Sequence, residues 1–215
     1  MALAPGKDSL IKAVFFDFDG VLTTDKTGST TTSRYISQRT GIELSAVKSA
    51  FSRHNAALTL GETTHDQVWR QLCDELGQPV SFSLLHEAFE STPLNEQMFK
   101  LARRLKHTHL IGIITDNKKD RVDHLKRQHS LDELFNPVIV SAEIGSDKGG
   151  PGIFLAALHS AGVRANEAVF IDNNKDNLVS PEALGMRVCF HDDEANDIEA
   201  LVKKLTEIGV VVCDA

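Results

Sequence analysis

The chain has 215 residues, 41% of them apolar and 25% charged, enough for one α/β core with a modest insertion and too few for two large domains. Its composition excludes a fibrous or disordered chain. A net charge of −7, with no cluster of Lys and Arg, excludes a phosphate-tracking stripe and argues against nucleic acid or an anionic membrane as partner. The cysteines Cys73, Cys189 and Cys213 are odd in number, widely spaced and without a CxxC pair, which disfavours a disulfide framework or a structural zinc site. Residues 1–9 lack an apolar h-region, and no stretch approaches the roughly 20 apolar residues of a membrane span. A cytoplasmic protein is expected.

In chain order, the first apolar run, 13–18, reads as a strand. Residues 24–93 then contain no convincing strand but several helical stripes: Leu44, Val47, Phe51 and His54; Val68, Trp69, Leu72 and Leu76; Leu84, Leu85, Ala88 and Phe89. A helix over 95–106 precedes a second strand at 110–115, and a helix over 119–129 follows it. Further strands are expected at 138–141, 168–172 and 187–190, with helices over 151–161 and 176–184, a closing helix over 194–208 and a short edge strand at 209–212. The strands are rich in Val, Ile and Phe and mostly lack alternation, as strands buried on both faces of a parallel sheet do. Strand and helix in alternation imply right-handed βαβ units and a Rossmann-like, doubly wound α/β sheet. The insert leaves after the first strand and returns before the second, which puts it over the C-terminal strand ends, where open α/β sheets bind ligands. The expected division is a core of residues 1–23 and 94–215 with a helical cap of residues 24–93.

Chemistry gathers at those strand ends. Residues 14–22 read VFFDFDGVL. In an extended chain, residues two apart share a face, so Asp17 and Asp19 are brought together. Two such charges about 4 Å apart repel by roughly 4 kcal/mol at an effective dielectric near 20, so a cation is expected beside them. By itself this motif is equally a solvated turn. The second strand ends in Thr115, Asp116 and Asn117, whose hydroxyl and backbone N–H groups suit phosphate oxygens, although such a turn is more often an N-cap. Lys148 follows the third strand in a Gly-rich loop before Pro151, which can open a helix at its first turn. The fourth strand ends in IDNNKDNL, 171–178, and its Asp172 offers an oxygen ligand of the kind Mg²⁺ prefers.

In this order and at these strand ends, the four segments resemble the four motifs of haloacid dehalogenase-like hydrolases, over residues 12–205. The resemblance implies Asp17 as nucleophile and Asp19 as general acid/base. It implies that Thr115 and Lys148 hold the phosphoryl group, with Asp116 and Asn117 beside them, and that Asp17, the Asp19 carbonyl and Asp172 hold Mg²⁺. The implied activity is hydrolysis of a small phosphorylated metabolite by a monomer or homodimer. The same motifs serve phosphomutases of the β-phosphoglucomutase type and non-catalytic binding proteins. Dehalogenases of the family usually lack the second Asp.

Two departures stand out. Many members have Lys-Pro-Asp-Pro where this chain has Lys148-Gly149-Gly150-Pro151, and many have two adjacent acids where Asp172 is followed by Asn173. Either Asn173 or Asp176 completes the metal site. In the insert, His54 continues an apolar stripe and reads as packing, Arg53 is a candidate anion contact, and Trp69 reads as cap core. His107 and His109 have no partner at a ligand spacing.

Overall fold

The computed structural model describes residues 10–213; residues 1–9, which the sequence suggests lack an h-region, lie outside the described residues. The elements are β1 (Ala13–Phe16), α1 (Gly28–Thr40), α2 (Leu44–Thr59), α3 (His65–Leu76), α4 (Ser83–Glu90), α5 (Glu96–Leu105), β2 (Leu110–Thr115), α6 (Lys119–His129), α7 (Leu131–Leu134), β3 (Val138–Val140), α8 (Ser141–Ile144), α9 (Gly152–Ala161), β4 (Ala168–Asp172), α10 (Val179–Ala183), β5 (Arg187–Phe190) and α11 (Ile198–Glu207). Five strands form one parallel sheet in the order β3-β2-β1-β4-β5. The order reverses around β1, so β1 sits at the centre and its C-terminal end opens at the switch point where ligands bind in such sheets.

All four residues of β1 are fully buried. Val14 and Phe16 face one apolar layer with α5 and α11, and Ala13 and Phe15 face the other with α9. Each Phe contributes on the order of 1.5–3 kcal/mol by leaving water, which fixes β1 as the rigid stem of the motif that follows. The strand stops at Phe16 because the chain turns there. The Thr23 N–H returns to the Phe18 carbonyl at 3.0 Å, with Gly20 at φ +79°. The expected strand at 209–212 does not form: Val210 is buried in the first apolar layer, but the segment has no ladder partner. It is anchored by apolar burial and by isolated hydrogen bonds, Val210 N–H to Leu205 O at 2.9 Å and Thr108 Oγ1 to Val211 O at 3.0 Å, rather than by a ladder. The helix expected over 176–184 is instead a 3₁₀ turn, Lys175–Leu178, followed by α10.

Helices α1 to α4 pack around a separate apolar cluster that includes Ile36, Val47, Phe51, Leu72, Leu85 and Phe89. Trp69 belongs to it and donates to the Val80 carbonyl at 2.9 Å. The helix α1 was not anticipated as an element. Its sequence, GSTTTSRYISQRT, buries only Ile36 among large apolar residues, with Gly28, Thr31, Thr32 and Ser33. Small polar residues let it lie close to α2 and α4, while the Thr27 hydroxyl caps its start by accepting from Thr30 N–H. Two adjacent segments connect this bundle to the sheet: Thr24 N–H donates to Pro93 O at 3.0 Å and Asn95 N–H to Leu22 O at 2.9 Å. No helix among the described residues is long and apolar enough to cross a membrane.

Candidate active site

The strand ends converge on a single cavity of about 690 Å³ between the sheet and the helical insert. Asp17, Asp19, Thr115, Asp116, Asn117 and Lys148 all line it. Asp172 lies just beneath, fully buried. Parallel strands bring the residues that follow β1, β2 and β4 to one edge of the sheet, and the loop after α8 carries Lys148 back to the same edge.

The deepest group is a triad of charges. The Lys148 ammonium is 2.9 Å from Asp17 Oδ2 and 2.7 Å from Asp172 Oδ2, and all three side chains are nearly inaccessible. The loop that carries Lys148 is tied down from below, because its N–H donates to Asp116 Oδ1 at 3.0 Å. Burial pushes Asp116 above the ordinary carboxylate range. Asp172 is further fixed by Asn174 N–H at 2.7 Å and by the Asn177 amide. Burial works against the Lys148 charge, but Asp17, Asp172 and Asp116 outweigh it and hold the ammonium above its usual range. With both carboxylates ionised, as a nucleophilic Asp17 requires, one ammonium would leave an excess negative charge. Burial, opposed by Lys148 and reinforced by Asp172, raises Asp17 to about 8.

That excess is the fit test for a divalent cation. Among the described residues no three His, Cys, Asp or Glu side chains converge on a metal position. The donors available are the carboxylates of Asp17 and Asp172, main-chain oxygen of the turn at Asp19, and the amide of Asn173. They are hard oxygen ligands of the type Mg²⁺ takes together with water, and a dication beside Asp17 would remove the excess charge. Asn173 is buried, lines the cavity and packs on Gly20, where a Cβ would overlap its amide. Asp176 is exposed and does not line the cavity, so of the two candidates for the fourth-motif position, Asn173 is the one at the site.

Asp19 is set apart from this triad. Its carboxylate is gripped by the Arg121 guanidinium through two bonds of 2.8 Å, one to each oxygen, and by Asn117 Nδ2 at 2.9 Å. Arg121 is buried to 2% exposure and also donates to Asn117 Oδ1 and Thr92 Oγ1. Gly28, the first residue of α1, lies against the guanidinium, where any Cβ would overlap it. Asp19, the insert's return segment at Thr92 and the first turn of α1 thus meet on one arginine. The sequence reading did not single out Arg121. No sequence pattern marks it: Asn117 lies in the extended segment before α6 and Arg121 in its first turn, and they meet at Asp19 only through the path of the chain. Asn117, expected beside the phosphoryl group, lines the cavity and also braces Asp19 and Arg121, while its N–H donates to Ser141 Oγ at 2.9 Å.

The insert is joined to the core at three further points, one of them His124 Nε2 on α6, 3.1 Å from Glu90 Oε1 on α4. Ser141 Oγ donates to Thr59 O at 2.7 Å. His65 Nδ1 on α3 lies 2.7 Å from Asp120 Oδ2 on α6, and His65 is enclosed by Phe51 and Phe89. Burial would raise Asp120, but the bond and charge of His65 hold it below the ordinary carboxylate range. Arg53 pairs with Glu75 at 3.2 Å, as does His54; neither lines the cavity.

A parallel sheet of this order, with an Asp-Lys-Asp triad beneath a cavity and a second Asp two residues after the first, defines a class of hydrolase. The model of the haloacid dehalogenase-like hydrolase family matches residues 11–185, and the chain belongs to that family. A predicted HAD-like family hydrolase from Porphyromonas gingivalis superposes with a TM-score of 0.74 at 20% identity, covering 92% of this chain and 98% of the other. A HAD family enzyme from Bacteroides thetaiotaomicron, in complex with magnesium and inorganic phosphate, gives 0.67 at 18% identity, covering 85% and 95%. The L-2-haloacid dehalogenase from Xanthobacter autotrophicus, with chloropropionic acid covalently bound, gives 0.65 at 17% identity, covering 94% and 85%. No curated protein matches the chain.

Proposed function

We propose that this protein is a Mg²⁺-dependent phosphomonoester hydrolase that acts on a small phosphorylated metabolite through an aspartyl phosphate on Asp17. In this reading residues 24–93 form a cap over a core of residues 1–23 and 94–215. The observation that carries it is the division of labour between two carboxylates at one strand end: Asp17 buried on the Lys148 ammonium, and Asp19 held apart, toward the cavity, by Arg121 and Asn117. A hydrolytic dehalogenation needs a nucleophile but no acid for its halide leaving group, whereas an alkoxide leaving group needs a proton. The second acid therefore favours phosphoryl over halide chemistry, and the Bacteroides relative with magnesium and phosphate points the same way.

Asp17 attacks phosphorus in line, and the bond from phosphorus to the leaving oxygen breaks as Asp19 delivers a proton to that oxygen. Asp19, now ionised, takes a proton from the water that attacks the aspartyl phosphate, and Asp17 is released. To reach the leaving oxygen Asp19 must let go of Arg121, whose fork can take hold of the carboxylate again afterwards. Lys148 and Thr115 bind the non-bridging oxygens. Asp17, Asp172 and the Asp19 carbonyl would hold Mg²⁺, with Asn173 beside them; when bound, the ion offsets the charge of the dianion and of the two carboxylates. The cap excludes bulk water and limits substrates to small ones.

The test is release of inorganic phosphate from a panel of phosphorylated metabolites, with Mg²⁺ and with EDTA, by wild type and Asp17→Asn. Turnover confined to wild type with Mg²⁺ supports the reading. Wild-type rates in Asp17→Asn, or hydrolysis of 2-chloropropionate in place of phosphate esters, contradict it. An isomerised sugar phosphate in place of free phosphate would identify a mutase.

A further inference from the structure

One cation in the cavity has no role in the chemistry above. Lys118, between Asn117 and the first turn of α6, lines the cavity and is mostly buried, yet its ammonium makes no hydrogen bond or ion pair among the described residues. The carboxylates whose fields reach it are Asp19, Asp116 and Asp120, and each is already engaged. Asp19 is taken on both oxygens by Arg121. Asp116 accepts from the Lys148 N–H. Asp120 is taken by His65 on one oxygen and by the Arg121 N–H on the other. Arg121 itself lies near enough to repel Lys118. A mostly buried, uncompensated cation is costly and is normally paired or hydrogen-bonded. A second lysine, the exposed Lys26, reaches the same cavity from the linker that enters the insert, again without a hydrogen bond or ion pair among the described residues.

The position of this charge indicates which part of a substrate it meets. Lys148 sits with Asp17 and Asp172, on the side where a phosphoryl group would be bound. Lys118 sits with Asp19 and Arg121, the side from which the leaving alcohol would be protonated. The cavity of about 690 Å³ is far larger than a phosphoryl group alone and within the range of pockets that hold whole metabolites.

We infer that the alcohol half of the substrate carries a second anionic group, a carboxylate or a second phosphate, received by Lys118 from the core and Lys26 from the insert linker. This rests on the phosphomonoesterase reading and narrows its substrate class. Burial, with the Arg121 charge added, lowers Lys118 to about 8, so the site is cationic at neutral pH, and an arriving anion would hold its proton more firmly.

Two matched pairs of substrates test the inference with Mg²⁺ present. 3-Phosphoglycerate and glycerol 3-phosphate differ by a carboxylate; propane-1,3-diol bisphosphate and 3-hydroxypropyl phosphate differ by a phosphate. In at least one pair, the anionic member is expected to have a kcat/KM at least about tenfold higher, the effect of one charge-assisted hydrogen bond, and the pair that shows it identifies the anion. Lys118→Met should shrink that ratio to about twofold or less, and Lys118→Arg should restore most of it. Lys26→Gln, at an exposed position, should lower the ratio severalfold and keeps the inference testable if Lys118→Met does not fold. Turnover of both members without discrimination in either pair, or a preference that survives both neutral substitutions, overturns the second-anion site. Absence of turnover of all four by wild type counts against the phosphatase reading instead.

Discussion

Asp17→Asn should stabilise the fold while abolishing turnover. Asp17 is raised from 3.8 to about 8 by burial and by Asp172, with Lys148 opposing. In the unfolded chain it ionises near 3.8, so at pH 7 folding requires it to take up a proton; the interval from 3.8 to 7 corresponds to about 4 kcal/mol. Asparagine removes that requirement. Part of the gain is offset because the amide donors face the Lys148 ammonium, which keeps only Asp172 at 2.7 Å, and a net gain of about 2 kcal/mol is expected at pH 7. In a chain of this size that is roughly 4–8 °C in Tm. The sign with pH is fixed: the folded value lies above the unfolded one, so wild type loses stability as pH rises from about 4 to about 8, and the advantage of the variant grows over that window. The assay is thermal unfolding of both proteins in EDTA at intervals from pH 4.5 to 8.5. A variant less stable than wild type throughout, or a difference that does not change with pH, would refute the claim that burial and Asp172 disfavour the ionised form of Asp17.

Arg121→Met should lower kcat by about a hundredfold or more, the scale of losing a placed acid/base, and destabilise by about 3–5 kcal/mol because Asp19 loses a partner in a mostly buried pair; steady-state kinetics and urea unfolding check both. Gly20→Ala forces a left-handed φ on a side chain that also meets the Asn173 amide, and should cost about 1–3 kcal/mol in denaturant unfolding together with loss of activity. His65→Phe should retain the contacts with Phe51 and Phe89 but release Asp120, at a cost of about 1–3 kcal/mol at pH 7. Asp120 is held below 3.8, so this contribution is present above about pH 4 and fades as the carboxylate protonates at lower pH; melting curves at pH 7 and pH 3 should show the difference shrinking.

The sheet was legible in the sequence because its strands are uninterrupted apolar runs. The ranges 110–115, 168–172 and 187–190 coincide with β2, β4 and β5. The first run was read two residues too long because Asp17 to Asp19 continue an extended pattern that the Gly20 turn breaks. Helix α1 has no apolar stripe to read, since Ile36 is the one large apolar residue on a buried face otherwise of Gly, Thr and Ser. The Val-rich end, 209–212, has the pattern of an edge strand, but Val210 and Val212 pack on the first apolar layer without a ladder partner.

The triad of Asp17, Lys148 and Asp172 could be anticipated because parallel strands bring their C-terminal ends together wherever the intervening chain goes. Arg121 could not. It lies in KKDRVDHLKRQH, where charge is abundant, and only the three-dimensional path of α6 past Asp19 distinguishes it from its neighbours. The same holds for Lys118, whose significance depends on how many nearby carboxylates are already engaged.

The most direct measurement is mass spectrometry of the protein quenched in acid during turnover of a phosphomonoester with Mg²⁺. The peptide containing Asp17 should gain the mass of one phosphoryl group, and the gain should disappear after hydroxylamine treatment and be absent in Asp17→Asn. Phosphate release at full rate with no modified Asp17 peptide, or a phosphoryl group on another residue, would contradict the account.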